Sequence, residues 1–221
     1  MRTTRNAGPP SIASLASLAA LLALALPLHA QKASDLSPWS LLEGLRDDLQ
    51  SSGPMTSRFV QTYVPAGFSA GERESGRLAM ALPDCLRWDY RDPYPKSFLL
   101  CGGVVHAWNA EDSAGRRYAV DRRNEPGMDL LLLSVEDLRR RYHARRSDRP
   151  DGGVEIALAP QDETPELREA LLVVDPRAMR LREVSFRDRE GNQTRFTISG
   201  YRPVAGRDLF TPPAGIEWRR E

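Results

Sequence analysis

Three groups of side chains in this sequence are of the types that chemistry uses. Gly67-Phe68-Ser69-Ala70-Gly71 matches the G-x-S-x-G pattern of a hydrolase nucleophile, where a strand enters and a helix leaves a sharp turn that exposes the serine. Here the next residues are Glu72-Arg73-Glu74-Ser75-Gly76 and another strand-like stretch, so the segment reads as a Gly/Ser hairpin loop. His106 and His143 form the second group. Either could serve as a base beside Asp112 or Asp137, yet neither has a histidine or cysteine at metal-ligand spacing, and a lone strand histidine is ordinarily structural. No catalytic residue, metal ligand or cofactor site is assigned on these grounds.

The third group is the cysteine pair. Cys85 opens Cys85-Leu86-Arg87-Trp88-Asp89-Tyr90 and Cys101 closes Ser97-Phe98-Leu99-Leu100-Cys101, with Asp92-Pro93-Tyr94-Pro95 between them. A hairpin centred on Pro93 sets Leu86 against Leu100, Trp88 against Phe98 and Cys85 against Cys101, so one register satisfies both the apolar pairs and the thiols. In an exported chain this predicts a disulfide. Two unpaired buried thiols, or a register one step away, is the alternative.

Export itself is suggested by the first thirty residues. Arg2 and Arg5 precede an apolar run from Ile12 to Leu28 that ends in Leu28-His29-Ala30, the pattern of a secretory signal peptide cleaved after Ala30. An uncleaved anchor is the alternative, although the run is short and lacks a basic stop-transfer flank. With no cysteine near the cleavage region, the mature N-terminus is not expected to be lipid-modified. About 190 residues then remain as residues 31–221, enough for one sizeable core. Losing Arg2 and Arg5 takes the formal charge from +1 to −1, a balance that argues against a nucleic-acid partner. Arg139-Arg140-Arg141 reads as a solvated face.

The elements that would position these residues are one early helix and then mostly strands. Ser37-Pro38 supplies a cap and a first-turn proline, Leu42, Leu45 and Leu49 recur at helical spacing, and Ser51-Ser52-Gly53-Pro54 stops the helix. Strand-like segments come after it at 55–64, 76–82, 85–90, 97–109, 116–121, 154–159, 170–175, 179–188 and 193–201, with a tail strand near Ile216. Leu78, Met80 and Leu82 share one face while Arg77, Ala79 and Ala81 share the other. Val184 and Phe186 can face Ile198 and Phe196 across a Glu190-Gly191-Asn192 loop. About ten antiparallel strands with few helices must curl or close, leaving a concave apolar interior. Met128-Asp129-Leu130-Leu131-Leu132-Leu133 is a Leu-rich helical turn that reads equally as a movable lid or as a core helix, and Ser134-Val135-Glu136-Asp137 after it is capping-like.

Along the chain stand, in order, Phe59-x-Gln61, Gly76-x-Leu78, Pro83-x-x-Leu86-x-Trp88, Pro93, Phe98-Leu99-Leu100-x-x-Gly103, Trp108, Asp188-x-x-Gly191-Asn192 and Phe210-Thr211-Pro212-Pro213-Ala214-Gly215-Ile216. This ordered set resembles the outer-membrane lipoprotein carrier (LolA-like) family over nearly the whole of residues 31–221. The resemblance implies a mainly β fold, an unclosed antiparallel β-barrel with an N-terminal helix and a helical lid over an apolar cavity. It implies a periplasmic, chaperone-like carrier of the acyl chains of lipoproteins, monomeric, taking cargo from an inner-membrane ABC transporter and passing it to an outer-membrane receptor. In the best-studied members of the family this chain resembles, a basic residue just before the first of these prolines ties the lid shut by hydrogen bonds; this chain has Leu82 there, so its latch is missing or relocated.

The expected acyl-cavity lining is Leu78, Met80, Leu82, Leu86, Trp88, Phe98, Leu100, Val184, Phe186, Phe196 and Ile198. The expected lid is Met128 with Leu130, Leu131, Leu132 and Leu133. A carrier of another lipid, such as a glycolipid or free fatty acyl chain, fits the same residues, as does a lipid-sensing regulatory module on the same half-barrel.

Overall fold

The computed structural model describes residues 36–109, 111–120, 128–132, 134–162, 167–206 and 208–220. The leader expected at residues 1–30 and its cleavage site lie outside them. Helix α1 (Pro38–Ser51) starts where Ser37 accepts a hydrogen bond from the Ser40 N–H at 3.0 Å with Pro38 in the first turn. Leu41, Leu42, Leu45 and Leu49 form its buried face. Each such leucine contributes about 1.5–3 kcal/mol of apolar burial, which is what holds a helix of this length in place. The end of α1 is fastened to the sheet by an ion pair between Asp48 and Arg180.

Strands β1 (Met55–Val64), β2 (Glu72–Ala81), β3 (Cys85–Asp92), β4 (Lys96–Cys101), β5 (Val104–Trp108) and β6 (Ala114–Ala119) form a meander. Helices α2 (Met128–Leu132) and α3 (Val135–Arg141) intervene before β7 (Tyr142–Asp148), β8 (Val154–Pro160), β9 (Leu167–Asp175), β10 (Arg180–Asp188), β11 (Gln193–Pro203) and β12 (Glu217–Arg220). They build one twelve-stranded sheet in the order β12-β6-β5-β4-β3-β2-β1-β11-β10-β9-β8-β7. All neighbours pair antiparallel except β12 with β6, and β7 and β12 remain as open edges, so the barrel is unclosed. Pairing of β1 with β11 joins the first and last meanders and puts β1 near the centre.

The hairpin centred on Pro93 has the expected register: Cys85 opposite Cys101, Leu86 opposite Leu100, Trp88 opposite Phe98. The two cysteines are bonded, with Cα atoms 4.3 Å apart. Period-two alternation divides the sheet into two faces. On the concave face Leu78, Met80, Leu86, Leu100, Val184 and Ile198 join the leucines of α1 in the main core. On the convex face Ala79, Ala81, Cys85, Leu99 and Trp108 form a second cluster covered by Phe210, Ile216 and Trp218 of the C-terminal segment. Arg87 fixes that segment by donating to the Leu209 carbonyl at 3.0 Å.

Three local expectations are corrected. The stretch 97–109 is two strands, because Gly102 and Gly103, both at positive φ (58° and 82°), make a tight turn inside it. In the last hairpin Val184 stands opposite Phe196 and Phe186 opposite Thr194, two residues from the expected register. Gly191 at φ 93° and the bond from the Asp188 N–H to the Asn192 carbonyl (3.1 Å) close the loop one residue earlier, and a two-residue slide keeps every side chain on its face. β7 is absent from the expected strands, since only Tyr142 and Ala144 are apolar in this charged edge strand.

Candidate functional site

The concave face does not fill itself. A cavity of about 320 Å³ remains between the sheet and α2, near the lower end of the roughly 300–1,000 Å³ typical of ligand pockets. Its walls come from strands on both sides of the β1–β11 junction. Leu78, Trp88, Phe98 and Leu100 line it from β2 to β4, and Val184, Phe186, Phe196 and Ile198 from β10 and β11. Leu131 of α2 completes it.

Met80, Leu82 and Leu86 of the expected lining are not in the wall. Met80 and Leu86 are cross-strand partners beside the β2–β3 turn, where the strand ends come together and side chains fill the space between one another. Leu82 sits in that turn, partly buried against the main core. Of the expected lid, Met128 opens α2, Leu130 and Leu132 are buried in the core, and Leu133 lies outside the described residues. Ser134 caps a separate helix, α3, by accepting from the Asp137 N–H at 3.0 Å. Arg140 on α3 pairs with Glu136 and Asp137, and Arg139 with Glu43, so this stretch is a solvated face held by ion pairs.

Sequence reasoning missed Phe59, Gln61, Tyr90, Val105, Tyr118 and Thr194 in the wall. Phe59 and Gln61 are two apart on β1, and Tyr90 continues the Leu86, Trp88 alternation, so period two could have found them. Thr194, Gln61 and the tyrosines fall outside a purely apolar pattern. Val105 comes after the Gly102-Gly103 turn that reading 97–109 as one strand conceals.

Two of these polar side chains, Tyr90 and Gln61, form a hydrogen-bonding corner of the cavity. The Tyr90 hydroxyl donates to Gln61 Oε1 at 2.5 Å. Burial, and then the charge of Glu74, raises the phenol above its ordinary value, so it stays protonated and a donor. Lys96 Nζ lies 2.6 Å from Glu74 and 4.6 Å over the Tyr90 ring. Phe59 packs edge-on to Tyr90 at 4.9 Å and Phe98 lies 5.9 Å on its other side, fixing the phenol's orientation.

Closure over the cavity has a specific tie. Arg46 of α1 donates from Nη1 to the Leu131 carbonyl and from Nη2 to the Leu130 carbonyl, both at 3.2 Å. Burial brings the guanidinium down to about 10, which leaves it charged at neutral pH. Arg46 is thus a basic residue of α1 that ties down α2. Replacing it (Arg46→Met) removes two charge-assisted bonds, each worth about 1.5–3 kcal/mol, and is expected to speed amide exchange in α2 at least about tenfold. Unchanged exchange would show that Leu130 and Leu132 hold the helix by packing alone.

The chemistry-bearing groups lie elsewhere. Ser69 is in the loop between β1 and β2, with a strand where a nucleophile elbow needs a helix. His106 on β5 packs edge-on to Trp218 at 4.8 Å. The Asp112 carboxylate accepts from Asn109, and the Asp137 carboxylate accepts from the Ser134 hydroxyl and from Arg140. Among the described residues no three His, Cys, Asp or Glu could hold a metal ion, and no described helix is long and apolar enough to cross a membrane.

Residues 50–212 match the family model described as outer membrane lipoprotein carrier protein LolA. The chain is 26% identical over 171 residues to an outer-membrane lipoprotein carrier protein of Xanthomonas oryzae pv. oryzae, covering 74% of this chain and 80% of that one. It is 24% identical over 182 residues to one of Chromobacterium violaceum, covering 80% and 86%. Among solved structures, a conserved protein from Thermus thermophilus has a TM-score of 0.53 at 11% identity over 82% of this chain and 97% of that one. A LolA superfamily protein from Nitrosomonas europaea has a TM-score of 0.45 at 13% identity, covering 80% and 98%. The family match spans the strands that wall the cavity on both sides of β1, and by it the chain belongs to the outer membrane lipoprotein carrier protein LolA family.

Proposed function

We propose that the protein is a periplasmic carrier that shields the acyl chains of lipoproteins in the concave cavity as they pass from the inner to the outer membrane. The observation that carries this reading is the cavity itself, apolar over most of its wall with a hydrogen-bonding corner at Tyr90 and Gln61. Each methylene left in water costs about 0.8 kcal/mol, so a lipid-modified protein needs such a shelter to cross an aqueous gap. The polar corner suits the ester or amide at the head of an acyl chain. Few polar contacts favour release as well as capture, which transfer requires.

On this reading residues 1–30 direct export and are removed, and the chain works as a monomer without a cofactor. An inner-membrane ABC transporter loads it and an outer-membrane receptor unloads it. The relatives' names support the cargo class, and the tie between Arg46 and α2 supplies a closure that must open at each end of the journey.

The test is native mass spectrometry of protein expressed in a periplasm and purified without detergent, joined to titration with a fluorescent fatty-acyl probe. Wild type is expected to carry acylated cargo and to take up the probe. Val184→Trp projects bulk from a wall residue that is only 2% exposed and is expected to lower probe affinity at least about tenfold, at an overpacking cost of about 1–3 kcal/mol. Equal uptake by both proteins would mean that acyl chains bind elsewhere, and an empty wild type that refuses the probe would remove the carrier reading.

A further inference from the structure

The convex face of the central strands carries a second concavity. A groove of about 650 Å³ runs across β11, β1, β2 and β3, and Arg202, Arg58, Arg77 and Arg91 each line it from one of those strands. Ser75 and Ser199 add hydroxyl groups. Among the described residues none of the four arginines makes an ion pair, whereas Arg87, Arg182 and Arg195 elsewhere on the sheet each have a carboxylate partner.

The arrangement is costly in the absence of an anion. Arg58 and Arg77 stand directly opposite each other on adjacent strands, a placement of like charges that weakens strand pairing. Arg77's other cross-strand neighbour is Asp89, but that carboxylate is occupied by Arg87 Nε at 2.9 Å and by the Ser97 hydroxyl at 2.8 Å. With a formal charge of only +1 over the whole chain, the concentration of positive charge here is local.

The backbone is shaped around the groove. The β1–β11 ladder shifts register between Thr56 and Arg58, where β11 carries the extra residue, and the β2–β3 ladder shifts between Ser75 and Gly76, where β3 carries it at Arg91; such bulges bend a strand and re-aim its side chains. Gly200 lies at φ 67°, and a Cβ there would come within 3.3 Å of Arg58 Nη2. The guanidinium of Arg58 is therefore seated over a position that any side chain would crowd. At the usual strand spacing the four arginines span about 14 Å, more than one small anion can neutralise.

We propose that this groove binds the phosphate groups of an anionic lipid headgroup. Guanidinium forks donate to phosphate oxygens in pairs, and a row of them across four strands matches phosphates presented in series better than it matches a single free ion. The site faces away from the acyl cavity, so it neither requires the carrier reading nor competes with it. Its role is to place the protein at a membrane surface.

The experiment is cosedimentation of the protein with phosphatidylcholine vesicles, with and without phosphatidylglycerol, at low and high salt. Binding is expected only where phosphatidylglycerol is present and is expected to weaken with salt. The double variant Arg58→Gln/Arg77→Gln is expected to lose roughly 30-fold in affinity. Uptake of the acyl probe by that variant should be unchanged, which shows the fold intact and separates this site from the cavity. Equal binding by variant and wild type, or no binding to phosphatidylglycerol vesicles, overturns the proposal. Binding of inorganic pyrophosphate through the same arginines with vesicles ignored would make it a site for a free anion, and binding of polyglutamate with vesicles ignored would make it a protein-docking surface; either result also overturns it.

Discussion

Replacing Phe59 with alanine is expected to lower the unfolding free energy by about 3–5 kcal/mol, the largest loss foreseen for any single side chain lining the cavity. Phe59 is 2% exposed, lies on the strand that joins the two meanders, and packs against Tyr90 at 4.9 Å and Phe196 at 6.1 Å. Its ring thus bridges β3 and β11 across β1. Alanine would also release Tyr90 from its edge-on contact and loosen the hydrogen bond to Gln61. Urea denaturation of the purified variant measures the effect. A loss below about 1 kcal/mol would mean that neighbouring side chains relax into the vacated space, as happens where a pocket is already open.

Removing the disulfide comes next in size. Cys85 and Cys101 are 16 residues apart, and a loop of that length constrains the unfolded chain by about 3 kcal/mol. The double variant Cys85→Ser/Cys101→Ser should therefore unfold at lower denaturant, and wild type treated with a reductant should match it. Affinity for an acyl probe is expected to stay the same, because the bridge lies in the convex cluster with Leu99, Trp108 and Phe210. An unchanged midpoint would show that this cluster alone keeps the β3 and β4 ends together. A change in probe affinity would show that the two faces are mechanically coupled.

How far the fold could be read in advance depended on how local each determinant is. The start and stop of α1 are written in neighbouring residues, Ser37-Pro38 and Ser52-Gly53, and both ends fall where those residues place them. The β3–β4 register was recoverable because three independent pairs demanded it. The β10–β11 register was not, since a loop of Arg189-Glu190-Gly191 and one shifted by a residue suit the same composition and leave the same faces buried. β7 escaped notice because its existence depends on β8, a long-range partner, and not on its own pattern.

The site was readable to the same degree. Alternation gave the concave face but not how far along each strand the cavity extends, so Met80 and Leu86 were placed in a wall when they belong to packed core. Thr194 came from tertiary placement of a polar residue, which an apolar pattern cannot reveal, whereas Gln61 and Tyr90 follow from the alternation of β1 and β3 once polar residues are admitted to it. Arg46 as the tie to α2 is visible only in three dimensions, because its carbonyl partners lie 84 and 85 residues away in sequence.

Strand β3 assigns its two tasks to alternate positions. Trp88 and Tyr90 look toward the cavity, while Cys85, Arg87 and Asp89 look outward to a covalent bridge, the tail carbonyl of Leu209 and the Ser97 hydroxyl. Substitution at even-numbered positions can reshape what the chamber accepts without disturbing the fastenings, and substitution at odd-numbered positions can stiffen or loosen the frame without altering the chamber. A designer seeking a carrier for a bulkier or shorter lipid would therefore vary one parity of this hairpin and leave the other untouched.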